Sequence, residues 1–325
     1  MTEPRRLEWR FDVSAAVELP GSHEIAVSVV APAAFAQSGE GTVLCCLPGG
    51  SLSRRYWDLE VDGDRRFSFA EFMAARGFAT VAIDHLGVGG SSTPADGFAL
   101  GPQRLARANQ AALEQTLERL RRGDASEGLP PRGSLHSIGV GHSMGSCMTV
   151  VQQAHHAPHA AIVLLSFTTR GLPHFLTEAE RSFIGDATGA RAALPELIRA
   201  RFGTPYPDPP NGAGREAAYG VGTAPPDAVR ALQQATTKLA AGPGILSMIP
   251  GAFAPEALAI EVPVFLAVGD HDLHAADHAS AEFPRSPEVV AYTLPDCWHC
   301  HNVANTRERL WNRIARWIGE GTPAL

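Results

Sequence analysis

The sequence lacks the features that mark secreted and membrane-spanning proteins. Its 325 residues include five cysteines, an odd number without the regular spacing of a disulfide framework. No apolar run approaches the roughly 18 residues that a membrane-spanning helix needs. Residues 1–10 are polar and charged, unlike a signal peptide. We therefore expect a cytoplasmic protein that does not act at a membrane.

The sequence also lacks a basic stripe of the kind that binds nucleic acid. The net charge is −7, and the arginines are dispersed. No zinc-finger or RNA-recognition motif is present. Apolar residues make up 45% of the chain and charged residues 19%, which is typical of a packed globular protein. We expect a small-molecule partner and no nucleic acid, and the oligomeric state, a homodimer included, stays open.

Short apolar runs alternate with helical patterns along most of the chain, which indicates an α/β fold with a mostly parallel sheet. The predicted strands are 7–13, 24–30, 42–47, 79–83, 135–140, 161–166, 262–268 and 288–294. The predicted helices are 67–76, 102–122, 143–154, 275–282 and a final amphipathic helix near the C-terminus. Pro102 and Gly123 frame the longest of them, as helix start and stop signals.

The composition changes between residues 170 and 255. This stretch is rich in Gly, Pro and Ala and has helical pieces but no clear buried strand. We interpret it as a helical lid inserted into a core domain formed by residues 1–169 and 256–325. A partly disordered Pro/Gly-rich linker is the alternative.

The most informative motif is Gly141-His142-Ser143-Met144-Gly145, a G-x-S-x-G pattern between an apolar strand and a helix. A serine on such a tight turn is held in a strained conformation that exposes its hydroxyl. Neighbours two residues away come too close to carry a Cβ, which explains both glycines. The helix that follows directs its N-terminus at the reacting centre, where the N–H of Met144 can stabilise an oxyanion.

On this motif and its setting, the chain resembles the serine hydrolases of the α/β-hydrolase superfamily over nearly its whole length. The resemblance implies a Ser–acid–His triad in that chain order, with Ser143 as nucleophile. The acid is expected after strand 262–268, where Gly269-Asp270-His271-Asp272 resembles the family's G-x-x-D turn and indicates Asp272. Asp270 and, less strongly, Asp277 remain alternatives.

The base is expected between the last strand and the last helix. His299 fits the family's placement, and His301 is the alternative. Cys297 and Cys300 form a C-x-x-C around it, but no second cysteine pair lies at zinc-site spacing. We expect no metal and no organic cofactor.

The loop Pro48-Gly49-Gly50-Ser51 follows the third predicted strand. Its glycines let the backbone approach a ligand, so the second oxyanion donor is predicted to be the N–H of Gly50, with Ser51 as the alternative. The candidate residues of a substrate pocket are His142, Ser51, Arg54, Tyr56 and Trp57.

The resemblance implies hydrolysis of a carboxylic ester with a mainly apolar acyl or alcohol part, through an acyl-enzyme. An acyltransferase, a thioesterase or a lactonase would use the same triad, and the fold does not choose among them. A non-enzymatic ligand receptor on this fold is the alternative from another class.

Overall fold

The fold is built around one mixed β-sheet. The computed structural model describes residues 3–33, 35, 40–124, 126–209 and 218–321, and in these ranges eight strands form the sheet. They are β1 (Arg5–Asp12), β2 (Glu24–Ala31), β3 (Gly41–Leu47), β4 (Ala79–Ile83), β5 (Leu135–His142), β6 (His159–Leu165), β7 (Val264–Gly269) and β8 (Val289–Leu294).

The strand order is β1-β2-β4-β3-β5-β6-β7-β8. β1 pairs with β2, and β2 with β4, in antiparallel fashion, while all pairs from β4 to β8 are parallel. The mostly parallel sheet predicted from the sequence is therefore confirmed. Parallel strands end at one common edge, so the loops after β3, β5, β6, β7 and β8 meet there.

Helices cover both faces of the sheet. The described ones are α1 (Ser14–Val17), α2 (Phe69–Ala74), α3 (Pro102–Arg122), α4 (Met144–His156), α5 (Glu178–Arg181), α6 (Ala187–Ala192), α7 (Leu194–Phe202), α8 (Pro226–Gln234), α9 (Ala241–Met248), α10 (Ala254–Ala257), α11 (Ala279–Glu282) and α12 (Arg307–Gly321). One buried cluster joins α3 and α4 to the sheet, and a second joins α2 and α12 to it. Because both faces are covered, the central strands are buried along almost their whole length rather than at alternate residues.

Some helix limits differ from those expected. The helix predicted at 67–76 is confined to Phe69–Ala74, because the Ser68 hydroxyl accepts a hydrogen bond from the Glu71 N–H and caps it. Gly77, just after its end, has a φ of 93°, as expected for a glycine stop. The helix predicted at 275–282 is helical only over Ala279–Glu282, after a turn. α3 has the predicted limits.

Helices α5 to α10 lie between β6 and β7; α5 to α9 fall within the predicted insertion at 170–255, and α10 continues past its predicted end. Residues 210–217 of that stretch lie outside the described residues. Residues 235–237 are bonded to the loop after β3: the Ala235 carbonyl accepts from the Ser53 N–H at 3.1 Å, and the Thr237 N–H donates to the Ser51 carbonyl at 3.0 Å. The stretch between β6 and β7 therefore has direct contacts with the loop that carries Gly50.

None of the helices described here is both long enough and apolar enough to cross a bilayer.

Candidate active site

Three side chains from distant parts of the sequence form a continuous hydrogen-bonded chain at the carboxyl edge of the sheet. Ser143 follows β5, Asp272 follows β7, and His299 follows β8. Nε2 of His299 lies 2.8 Å from Oγ of Ser143, and its Nδ1 lies 2.7 Å from Oδ1 of Asp272. An imidazole bonded in this way to a hydroxyl and a carboxylate can take the hydroxyl proton while the carboxylate stabilises the resulting charge.

The turn at Ser143 has the strained backbone that the motif predicts. Ser143 has φ 54° and ψ −122°, and α4 begins at the next residue. A Cβ on Gly145 would lie 2.2 Å from the Leu47 carbonyl oxygen, and one on Gly141 would lie 2.4 Å from Cα of Ser146. Both distances are well below contact, so glycine is required on each side of the serine.

The carboxylate of Asp272 is buried and fully hydrogen-bonded. Its Oδ1 accepts from the Leu273 N–H at 2.7 Å, and its Oδ2 accepts from the Ser166 hydroxyl and from the Gly269 N–H. Burial would raise the pKa of Asp272, but the charge of His299 and the hydrogen bond to it outweigh burial and hold this pKa well below its ordinary value. The carboxylate is therefore ionised at neutral pH.

The alternative acids have other partners. Asp270 accepts hydrogen bonds from the Asp296 and Cys297 N–H groups at 2.9 and 3.0 Å. Asp277 lies 3.0 Å from the ring of His278 at the surface. Of the three aspartates considered, Asp272 is the one hydrogen-bonded to His299.

His301, the alternative base, lies on the far side of the acid. Its Nε2 is 3.8 Å from Oδ2 of Asp272, and its ring is completely buried. Burial lowers the pKa of His301 to about 4, so the ring is neutral at neutral pH. The geometry favours His299 as the partner of Ser143.

The two residues predicted to supply the oxyanion donors, Met144 and Gly50, lie beside each other. As the first residue of α4, Met144 has no preceding turn to accept its N–H. A Cβ on Gly50 would lie 3.9 Å from both Cβ and Sδ of Met144, so the two donors predicted for an oxyanion hole are neighbours. Ser51, the alternative donor, has φ 60°, and its carbonyl accepts the Thr237 N–H.

Two of the residues predicted for the substrate pocket lie elsewhere. The guanidinium of Arg54 is engaged by Asp84, by Glu8 at 2.8 Å and by the Ser28 hydroxyl at 2.7 Å, so its charge is already paired within the chain. Trp57 is completely buried, with its ring centroid 5.4 Å from that of Phe69 in the core. The sequence did not reveal which way these side chains face.

Tyr56 and His142 are also buried, but they lie beside the triad. The two rings are 4.6 Å apart, and Nε2 of His142 lies 2.9 Å from the carbonyl oxygen of His299. Both side chains therefore pack behind His299, and neither is open to a ligand. Ser51, at 7% exposed, remains in the loop beside Gly50.

Sequence reasoning missed three residues of the site. Ser166, after β6, has φ 56° and donates to the acid. His274 has its ring centroid 6.1 Å from that of His299, and burial lowers the pKa of His274 to about 4. Leu239 has its Cδ1 3.0 Å from the position of a Cβ on Gly50. Ser166 could have been found from its place at the end of a predicted strand, whereas Leu239 lies far along the chain from Gly50 and gives no local signal.

The cysteines flanking His299 are both buried, and burial raises the pKa of the Cys297 thiol well above its ordinary value. Within the described ranges, no group of three or more His, Cys, Asp and Glu side chains is arranged to hold a metal ion.

Comparison with known proteins now gives the family. A model of the alpha/beta hydrolase family matches residues 43–310, most of the chain. The chain belongs to the alpha/beta hydrolase family. No curated protein matches this hydrolase.

Solved structures resemble the hydrolase over almost its full length. An esterase from Thermogutta terrifontis is 16% identical, with a TM-score of 0.57, and the match covers 96% of this chain and 98% of that one. A bromoperoxidase from Bacillus anthracis is 15% identical, with a TM-score of 0.60 and coverage of 97% and 100%. A thioesterase domain from the curacin biosynthetic pathway is 15% identical, with a TM-score of 0.56 and coverage of 96% and 99%. These likenesses establish the shared fold, and family membership supports hydrolase activity in general.

Proposed function

We propose that this hydrolase cleaves a carboxylic ester through an acyl-enzyme on Ser143, with His299 as base and Asp272 as acid. The observation that carries the proposal is the chain of hydrogen bonds of 2.8 and 2.7 Å from the serine hydroxyl through the imidazole to the carboxylate. A serine hydroxyl needs such a base to become a useful nucleophile.

In the first half of the reaction, Nε2 of His299 takes the proton of Ser143 as Oγ attacks the ester carbonyl. The N–H groups of Met144 and Gly50 donate to the oxyanion of the tetrahedral intermediate. The carbon–oxygen bond to the alcohol then breaks, and the leaving alkoxide receives the proton from Nε2. Throughout, Asp272 accepts from Nδ1–H, which keeps Nε2 unprotonated in the resting state.

In the second half, a water molecule attacks the acyl carbon and gives its proton to Nε2 of His299. The second tetrahedral intermediate uses the same oxyanion donors. It collapses by breaking the bond to Oγ of Ser143, which regains the proton from the imidazole, and the carboxylic acid leaves.

We infer that residues 170–255 form a lid that contributes the apolar wall of the substrate site. Leu239 supports this inference, because its Cδ1 lies beside both Gly50 and Gly244. Residues 1–169 and 256–325 would then be the core domain. An apolar residue next to an oxyanion donor suits an ester with an apolar acyl or alcohol part. The cytoplasmic location and the absence of a cofactor stay predictions, and the oligomeric state stays open.

The test is hydrolysis of p-nitrophenyl esters of increasing acyl length by the wild-type protein and by Ser143→Ala. We expect the substitution to lower kcat by about 10⁴-fold or more. A fluorophosphonate should label the wild type and not the variant. Full activity in Ser143→Ala would contradict the nucleophile assignment, and no labelling of the wild type would favour a ligand receptor.

The same assay distinguishes related reactions of the triad. Adding an alcohol acceptor reveals an acyltransferase if transfer exceeds hydrolysis. Replacing the esters by matched thioesters and lactones reveals a thioesterase or a lactonase. In each case Ser143→Ala is the control, because all of these reactions pass through the same nucleophile.

A further inference from the structure

His142, which directly precedes the nucleophile, is bonded to the backbone of the histidine that activates it. Its Nε2 lies 2.9 Å from the carbonyl oxygen of His299. A carbonyl oxygen only accepts hydrogen bonds, so Nε2 of His142 carries the proton and donates it. Burial holds the pKa of His142 well below its ordinary value, so the neutral ring has one N–H and uses it here.

The ring of His142 is held on several sides. The ring of Tyr56 lies 4.6 Å from it at an interplanar angle of 33°, and the ring of His301 lies 6.0 Å from it at 84°. On a third side is Gly49, where a Cβ would lie 2.6 Å from Nδ1 of His142. The imidazole therefore has little freedom to turn away from the His299 carbonyl.

Tyr56 is itself fixed by the segment that follows His299. Its hydroxyl accepts the Asn302 N–H at 3.3 Å, and its carbonyl accepts from the Asn302 side chain at 3.2 Å. Trp311 in α12 donates its indole N–H to Asn302 at 2.9 Å. A buried network thus extends from the last helix to the residue before the nucleophile, and the His299 loop lies between its two ends.

We propose that His142 is a positioning residue that ties the main chain of His299 to the turn carrying Ser143 and thereby fixes the direction of the catalytic imidazole. This inference rests on the proposed function. His142 and Ser143 are consecutive in the chain. The hydrogen bond from the His142 ring to the His299 carbonyl therefore connects the segment that carries the nucleophile to the segment that carries the base.

The alternative support of this carbonyl is weaker. The hydroxyl of Ser166 lies 3.5 Å from it, at the limit of a hydrogen bond, and that hydroxyl is already engaged by Asp272. Loss of the His142 bond would therefore free the His299 loop to shift. A displacement of about 1 Å between reacting groups is enough to cost about 100-fold in rate.

The test compares His142→Phe with His142→Gln. Phenylalanine keeps a flat ring beside Tyr56 but cannot donate to the carbonyl. Glutamine places an amide N–H near the former Nε2 and restores the donor. We measure the rate constant of inactivation by a fluorophosphonate, kcat and KM on p-nitrophenyl butyrate, and the melting temperature.

The matched control is His159→Phe. His159 is also buried and neutral, with a pKa lowered by burial to about 3 and one bond of 2.9 Å to Ser137, but it begins β6 at the opposite edge of the sheet. We expect His142→Phe to lower kcat and the inactivation rate by about 10- to 100-fold with KM little changed. His142→Gln should recover most of the rate, and His159→Phe should lower only the melting temperature.

A folded His142→Phe protein that is inactivated at the wild-type rate would overturn the proposal, as would a His142→Gln protein no faster than His142→Phe. If His142→Phe fails to fold, His142→Asn replaces it, because asparagine is too short to reach the carbonyl and should be slower than glutamine. Failure of the proposed function is distinguishable, because the wild type itself would then not be labelled at Ser143.

Discussion

Oδ1 of Asp272 lies 2.7 Å from Nδ1 of His299, whereas the carboxylate of Asp270, two residues earlier, caps the N–H groups of Asp296 and Cys297. The two aspartates are neighbours in sequence but have different tasks. Asp272 orients the imidazole of His299, and Asp270 shapes the loop that leads to it. This difference gives a paired substitution.

We expect Asp272→Asn to lower kcat by about 10⁴-fold, because an amide no longer enforces the tautomer with a free Nε2. Asp270→Asn, the matched control, keeps an acceptor for one of the two loop N–H groups and should lose less than about 10-fold. Steady-state kinetics on one p-nitrophenyl ester measures both. Equal losses in the two variants would contradict the assignment of the acid.

Gly145→Ala should prevent formation of the turn at Ser143. The added Cβ would lie 2.2 Å from the Leu47 carbonyl and 2.5 Å from that of Pro48, and neither backbone group can move cheaply. Gly319→Ala is the control, because Gly319 also lies in a helix but no atom comes within 4 Å of its Cβ position. We expect inactive or insoluble protein from the first change and up to about 1 kcal/mol of added stability from the second. Expression yield and urea unfolding give the answer.

Leu239→Ala should alter which esters are preferred. Removing the isobutyl group beside Gly50 leaves space next to the oxyanion donors. We expect kcat/KM for longer acyl chains to rise about 10-fold relative to acetate esters, since each methylene in an apolar site is worth about 1–3 kcal/mol. Leu258→Ala, at an exposed leucine, should leave the ratio unchanged. An unchanged ratio in Leu239→Ala would remove Leu239 from the substrate wall.

Acid should destabilise the fold before it protonates the carboxylates. Burial lowers the pKa of His159 to about 3 and that of His301 to about 4, so both stay neutral in the fold while the unfolded chain takes up protons below about pH 6.5. The contribution of these two histidines to the free energy of unfolding should therefore be fully present above about pH 6.5. It should fall towards pH 4, by up to about 1.4 kcal/mol per pH unit for each histidine.

Urea unfolding at about pH 7 and about pH 5 measures this loss. The His159→Phe protein should lose less stability between the two values than the wild type does, because one of the groups that titrates differently on unfolding is gone. An identical loss in both proteins would mean that His159 is not protonated more readily in the unfolded chain.

Local signals in the sequence were sufficient for much of the framework. The limits of α3 follow from Pro102 at its start and Gly123 after its end, and those of β4 from a short apolar run after Gly77. The turn at Ser143 could be predicted because its G-x-S-x-G motif is contiguous in the sequence and a Cβ on Gly141 would meet Ser146, five residues on. These features depend on neighbours in sequence, which are visible in it.

Orientation was harder to predict. Arg54, Tyr56 and Trp57 follow an oxyanion loop, but whether such side chains face a ligand or the core depends on distant partners: Asp84 for the arginine, and Asn302 and Phe69 for the rings. The sequence marks His142 only as a candidate pocket residue, since nothing in it indicates that the ring reaches the His299 carbonyl. The longest of these contacts joins residues that are 246 apart in sequence, and such contacts leave no local pattern.

The bonds between residues 235–237 and the loops at 51–53 and 89 have a consequence for protein engineering. The Ser53 hydroxyl donates to the Ala235 carbonyl at 2.9 Å, and the Gly89 N–H donates to the Thr237 hydroxyl at 3.0 Å. A chimera that received the corresponding insertion from another family member would lose these partners unless its graft reproduced them. To transfer a substrate preference from one relative to another, the segment around residues 235–237 therefore has to be exchanged together with the two loops, at 51–53 and at 89, that are bonded to it.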